Sequence, residues 1–151
     1  MYESSWDSLN QHQIPQWILD AKFGIYAHWG PYSVPAYGNE WYGMRMYDKE
    51  NQANIYQHHT ETYGGPIEFG YKEFIPMFTC KKFDPDEWAE IIQQSGAKYA
   101  GTALLHHDGF ALWDSDVNRW NAVNMGPKRD LYGDLLGALR RRGLRTVGTF
   151  H

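Results

Sequence analysis

The feature that most constrains this chain is the position of its irregular segments. Three short apolar runs fall at residues 23–28 (Phe-Gly-Ile-Tyr-Ala-His), 98–105 and 144–150. A run this short is ambiguous by periodicity alone, but the segments between them carry clear helix signals. Asp84 is a good N-cap, Pro85 suits the first helical position, and Glu87 completes capping-box spacing. Trp88, Ile91 and Ile92 then form an apolar face, and Gly96 ends the helix. Asp130 caps a second helix with Leu131, Leu135 and Leu139 on its apolar face and Gly143 at its end. The order strand, helix, strand, helix, strand predicts parallel βαβ units.

Connection lengths sharpen this. Passing from helix to strand takes about one or two residues, whereas passing from strand to helix takes roughly fifty and then roughly twenty, far above ordinary loop lengths. All elaboration lies beyond the C-terminal ends of the strands, where both (β/α)8 barrels and doubly wound sheets build their sites. No Gly-rich turn follows the first run, which disfavours a dinucleotide fold. A full barrel needs about 250 residues, and this chain has 151. The expectation is therefore an α/β fold, a (β/α)8 (TIM-like) barrel truncated after about three strands. Residues 1–151 would be one partial domain, with the remainder of the barrel missing. Within it, residues 15–20 read as a short opening helix, residues 31–83 as irregular, and stretches near 54–59 and 71–76 as short helices.

Composition narrows the partners. Hydrophobic residues at 42% predict a buried core. A net charge of −4 disfavours a nucleic-acid partner, which usually needs a basic face. The basic run Arg140-Arg141-Arg142 sits at a helix end, where cations suit the dipole. Cys80 is alone, so no disulfide forms within the chain. No stretch approaches the ~18 apolar residues of a membrane span. The N-terminus shows no basic region followed by an apolar core, so no signal peptide is visible, and localisation and oligomeric state are open. Aromatic residues reach 17%, and Tyr32, Tyr37, Trp41, Tyr42 and Tyr47 crowd one Gly- and Pro-rich stretch without helix or strand period. Rings on loops commonly form flat walls for ligands with an apolar face and a polar edge, and sugars are such ligands.

Each predicted strand ends in histidine: His28, then His106 and His107, then His151. In a parallel barrel these positions converge at the mouth. Convergent imidazoles serve either as metal ligands or as hydrogen-bonding groups around a polar ligand. The His106-His107-Asp108 string invites a metal-dependent hydrolase, but adjacent residues at a strand end point to opposite sides. There is also no His-x-His or His-Glu-x-x-His spacing. For Glu40 and Trp41 two readings stand level: carboxylate and indole grip a sugar, or Glu40 caps a turn while Trp41 plugs the barrel top.

The string Lys22-Phe23-Gly24-Ile25-Tyr26-Ala27-His28-Trp29-Gly30-Pro31-Tyr32-Ser33-Val34-Pro35 closely resembles the first barrel strand of the glycoside hydrolase family 29 α-L-fucosidases. Four later blocks resemble the same family in the same order: residues 39–42, residues 71–74, residues 106–110 with 113–115, and residues 126–130. The resemblance implies the N-terminal portion of an irregular (β/α)8 catalytic domain. It also implies exo-acting, retaining hydrolysis of terminal α-L-fucose on glycans, with no cofactor and no metal. His28, Glu40, Trp41, His106 and His107 match positions that hold fucose hydroxyls or line their pocket. Phe150-His151 matches a region where relatives often place a Tyr on the sugar, in a register left unassigned. Leu105 stands where many relatives carry Lys. By the same resemblance the nucleophile Asp and the acid/base Glu lie beyond His151, so the 151 residues alone are expected to be inactive. Asp108 is expected to fix the turn before Gly109. The alternative is a non-catalytic fucose-binding module.

Overall fold

The computed structural model describes residues 2–50 and 54–151. The irregular stretch expected over 31–83 thus includes three residues, 51–53, outside those described. Helices α1 (Trp6–Leu9) and α2 (Gln16–Ala21) precede strand β1 (Gly24–Ala27). Then come α3 (Tyr42–Arg45), α4 (Ile55–Tyr63), α5 (Pro85–Gln94), β2 (Tyr99–Leu105), α6 (Leu131–Arg141) and β3 (Arg145–Phe150). The three strands form one parallel sheet in the order β1-β2-β3. That is the α/β arrangement expected from the connections, and the long strand-to-helix segments all leave from one end of the sheet.

The two long helices form where the local signals put them. The Asp84 carboxylate accepts from the N–H groups of Asp86 (2.9 Å) and Glu87 (3.1 Å), and that of Asp130 from the N–H of Gly133 (2.8 Å). Each satisfies donors that a helix N-terminus leaves unpaired. Leu131, Leu135 and Leu139 are buried as a stripe, and with Ala89, Ala100, Phe110 and Leu144 they seal the helices onto the sheet. Gly143 follows with φ of 75°, a left-handed position that glycine adopts without strain. The arginine run does more than face the dipole: Arg141 pairs with Asp86 at 2.8 Å and Arg142 with Glu90 at 3.1 Å, tying α6 to α5.

Two expectations need correction. Ile91 is not on a buried face, since it is 58% exposed and helps line an apolar groove with Ile25, Ala27, Trp88 and Ile92. Leu135 of α6 and the sheet line the same groove without filling it, so an apolar helical period here marks a surface left open. Nor do all five clustered aromatics face outward. Tyr32 and Tyr42 are buried with Met46, Ile55, Tyr71 and Phe74 in a second core built entirely from the segment between β1 and α5. Short helices and 3-10 turns at Pro31–Ser33 and Tyr71–Phe74 bring these rings together without a long repeat. His59 is fully buried among them and satisfied at both nitrogens. The Phe69 carbonyl at 2.8 Å can only accept, so Nε2 carries the proton and Nδ1 accepts from the Tyr42 hydroxyl at 3.0 Å.

The two helix faces predict different responses. Leu135→Ala should cost about 2–5 kcal/mol, whereas Ile91→Ala should stay within about 0.5 kcal/mol. Urea denaturation of both variants measures the difference, and equal losses would contradict this burial pattern.

Candidate functional site

The sheet register assembles the site. Ala27 pairs with Thr102, so β1 stops short and releases His28 where β2 is still paired. A register shift between Ala103 and Leu105 then brings Leu105 opposite Phe150, and the His151 N–H donates to the Leu105 carbonyl at 3.1 Å. These staggered ends gather three rings. Centroids lie 5.1 Å apart for His28 and His106, 5.0 Å for His28 and His151, and 4.9 Å for His106 and His151. His28 Nε2 and His151 Nε2 are 3.4 Å apart.

His106 is the buried member, at 3% exposure, and its Nδ1 has no hydrogen-bond partner among the described residues. Burial first, then the neighbouring imidazoles of His107, His151 and His28, depress its pKa to about 4. It is therefore neutral at ordinary pH. His107 is exposed, and its ring stacks on Trp41 at 4.1 Å with planes 25° apart. Trp41 also meets His106 edge-on at 5.6 Å. His106 is buried and His107 exposed, and only His106 joins the group of imidazoles that could share one ion, as expected of neighbours at a strand end, although their rings stay 4.8 Å apart. The chain turns through His106 to Gly109, whose N–H returns to the His106 carbonyl at 2.9 Å.

Glu40 and Trp41 enter just before α3. The local turn is capped by Asn39, whose side chain accepts from the Trp41 N–H at 3.1 Å, and not by Glu40. The Glu40 carboxylate instead lies 4.0 Å from His28 Nδ1. A cavity of about 210 Å³ opens beside them, lined by His28, Tyr32, Tyr37 and Glu40 among others. Tyr37 keeps its wall position by stacking on His58 at 3.7 Å and 6°. All five residues singled out from the sequence, His28, Glu40, Trp41, His106 and His107, thus sit around one centre.

Asp108 takes its expected turn role, accepting from the Phe110 N–H at 3.0 Å. Its other oxygen accepts from the Tyr71 hydroxyl at 2.6 Å. Burial raises the Asp108 pKa against these two hydrogen bonds, and burial with the Asp108 charge pushes the Tyr71 hydroxyl up as well. Asp114 and Asp116 are exposed.

Sequence reasoning missed three contributors. His151 was recognised as a strand end but not assigned to the site. Tyr26 hydrogen-bonds Thr149 Oγ1 and lies 3.2 Å from His151 Nε2. Its position two residues before His28, on the same face of the strand, was the available signal. Tyr71 falls in one of the blocks that resemble the family, but its reach to Asp108 depends on the second core and has no local signal.

The α-L-fucosidase family model matches residues 1–151. The tissue α-L-fucosidase of Rattus norvegicus is 42% identical over 151 residues, covering 99% of this chain and 32% of the relative. The plasma α-L-fucosidase of Homo sapiens gives the same identity and coverage. The chain spans about a third of the length of these curated relatives. Among solved structures, the Thermotoga maritima α-fucosidase in complex with fucose superposes with a TM-score of 0.92 at 41% identity, over 99% of this chain and 37% of that one.

The depressed His106 pKa sets a pH response. With a folded value of about 4 against an ordinary 6.5, the unfolded chain binds more protons in between. The stability contribution is full above pH 6.5 and is lost as pH falls toward 4. Urea denaturation at stepped pH should show a shallower loss for His106→Gln than for the unaltered chain. Identical slopes would contradict the assignment.

Proposed function

Because this chain belongs to the α-L-fucosidase family, we propose that residues 1–151 supply the sugar-gripping wall of a retaining exo-glycosidase that removes terminal α-L-fucose from glycans. The observation that carries this reading is the convergence of imidazoles from the strand ends beside the Trp41 ring and the Glu40 carboxylate. A sugar presents C–H faces to aromatic rings and hydroxyls at its rim, and this wall offers both complements. The unpartnered Nδ1 of His106 suits a ring hydroxyl, which removes the cost of a buried unpaired group. The Glu40 carboxylate lies 4.0 Å from His28 Nδ1 and favours a proton there, leaving Nε2 to face the ligand. The Thermotoga maritima relative in complex with fucose supports fucose as the sugar.

The proposed architecture is the N-terminal portion of a (β/α)8 catalytic barrel, residues 1–151 forming part of one domain. Three parallel strands with α5 and α6 on one face, and loops gathered at the strand ends, support it. Retaining hydrolysis needs two carboxyls about 5 Å apart, one to attack the anomeric carbon and one to give and take the proton. The carboxylates nearest the histidines are otherwise engaged: Glu40 with His28, Asp108 with Tyr71 and Phe110. The nucleophilic Asp and the acid/base Glu are assigned outside residues 1–151, as the family resemblance implies. His28, Glu40, Trp41, His106 and His107 bind and orient the sugar. The family resemblance implies a reaction that uses no metal.

Two measurements test this. Residues 1–151 alone should give no turnover of an aryl α-L-fucoside, and clear turnover would overturn the assignment of the carboxyls. In a protein that joins residues 1–151 to those carboxyls, His28→Ala and Trp41→Ala should each lower kcat/KM by about 10- to 100-fold, equivalent to about 1–3 kcal/mol. Unchanged kcat/KM in both variants would remove them from the pocket.

A further inference from the structure

His28, His106 and His151 each offer one imidazole nitrogen, and these atoms all lie within 4.8 Å of one another. A tetrahedral zinc ion bound to nitrogen at about 2.0–2.1 Å sets its ligand atoms about 3.3–3.4 Å apart. The His28 Nε2 to His151 Nε2 separation is already 3.4 Å. We propose that this triad is a binding site for a borderline first-row divalent cation of the zinc class, and that such an ion occupies the mouth of the pocket and competes with the sugar.

Several independent features fit a ligand set. The rings come from three consecutive parallel strands, so the sheet holds them together without help from the ion. Two nitrogens facing at 3.4 Å repel if both carry lone pairs, and a cation between them turns that into attraction. Glu40 stands 4.0 Å from His28 Nδ1, on the side of the ring away from His151, where its charge favours a proton on Nδ1 and a lone pair on Nε2. That is the carboxylate–histidine support found behind metal-bound imidazoles. The Tyr26 hydroxyl, 3.2 Å from His151 Nε2, must give up its hydrogen bond there when that nitrogen turns its lone pair to an ion. His106 Nδ1 is buried without a hydrogen-bond partner.

The chemistry selects the ion. Three imidazoles and no carboxylate in direct reach suit Zn2+, Cu2+, Co2+ or Ni2+, whereas Mg2+ and Ca2+ want oxygen ligands. With three protein ligands the fourth position stays open to water. His28 and His151 are exposed, so an ion can enter from solvent, and it would sit where the sugar hydroxyls are assigned. The metal site is read from the imidazoles themselves. Its competition with sugar rests on the pocket reading above.

The test is calorimetric titration of the full chain, freed of metal with EDTA, with ZnCl2 and separately with MgCl2. One equivalent of zinc should bind and magnesium should not displace it. His28→Ala and His151→Ala change exposed side chains, and each should weaken zinc binding by about 100-fold, with Glu40→Gln costing about 10-fold as a supporting residue. His12→Ala is the control and should leave the isotherm unchanged. With Co2+ in place of zinc, the intense visible bands of a tetrahedral site should appear and be lost in His151→Ala. Absence of stoichiometric zinc, or binding indifferent to His28→Ala and His151→Ala, overturns the site. L-fucose should raise the apparent Kd for zinc. Zinc held by the triad yet unaffected by L-fucose would overturn the competition and leave the metal site standing.

Discussion

The parallel pairing of β1, β2 and β3 is the constraint on which the site depends, because it fixes which side chains emerge together. His28 and His151 lie 123 residues apart along the chain, and their own 3.4 Å contact does not bring them together. They meet because β1 stops level with Thr102 and because β2 gains a residue against β3 between Ala103 and Leu105. A one-residue slip would turn each strand's side chains to the other face and disperse the imidazoles. Gly101 contributes to the same register, since a Cβ there would collide with the backbone of Val147.

What was legible in the sequence was whatever is encoded locally. Asp84 and Asp130 cap their helices through N–H groups two or three residues away, so their signals survive without the tertiary fold. The leucine stripe of α6 is periodic and was read correctly. In the segment between β1 and α5 the short helices at Ile55–Tyr63 and Tyr71–Phe74 are legible, but the second core is not, because Tyr32, Tyr42 and Phe74 reach one another across turns with no repeat. A cluster of aromatics without period signals that the rings share a purpose but does not say whether it is packing or binding. Here it is both, with Tyr42 packed away and Trp41 facing His107. Ile91 shows the reverse error, a periodic apolar position that remains exposed.

The candidate residues themselves were readable because strand ends are recognisable and a parallel fold gathers them at one end. Their electrostatic character was not. The neutrality of His106 follows from its burial beside three other imidazoles, a property of the assembled centre that no window of sequence contains. The same holds for the Tyr71–Asp108 hydrogen bond, which links residues from two separate loops.

That hydrogen bond also joins two bodies of different character. The main core is shared between sheet and helices, whereas the second core is assembled within one connection and carries the Glu40–Trp41 edge of the pocket. Segments with their own apolar interior can open and close as separate cooperative units. Loosening of the aromatic wall would then cost the contacts of the second core and not those that hold the imidazole-bearing strands. One side of the pocket thus rests on the sheet and the other on a connection with its own apolar interior, tied together where a tyrosine hydroxyl meets a buried carboxylate.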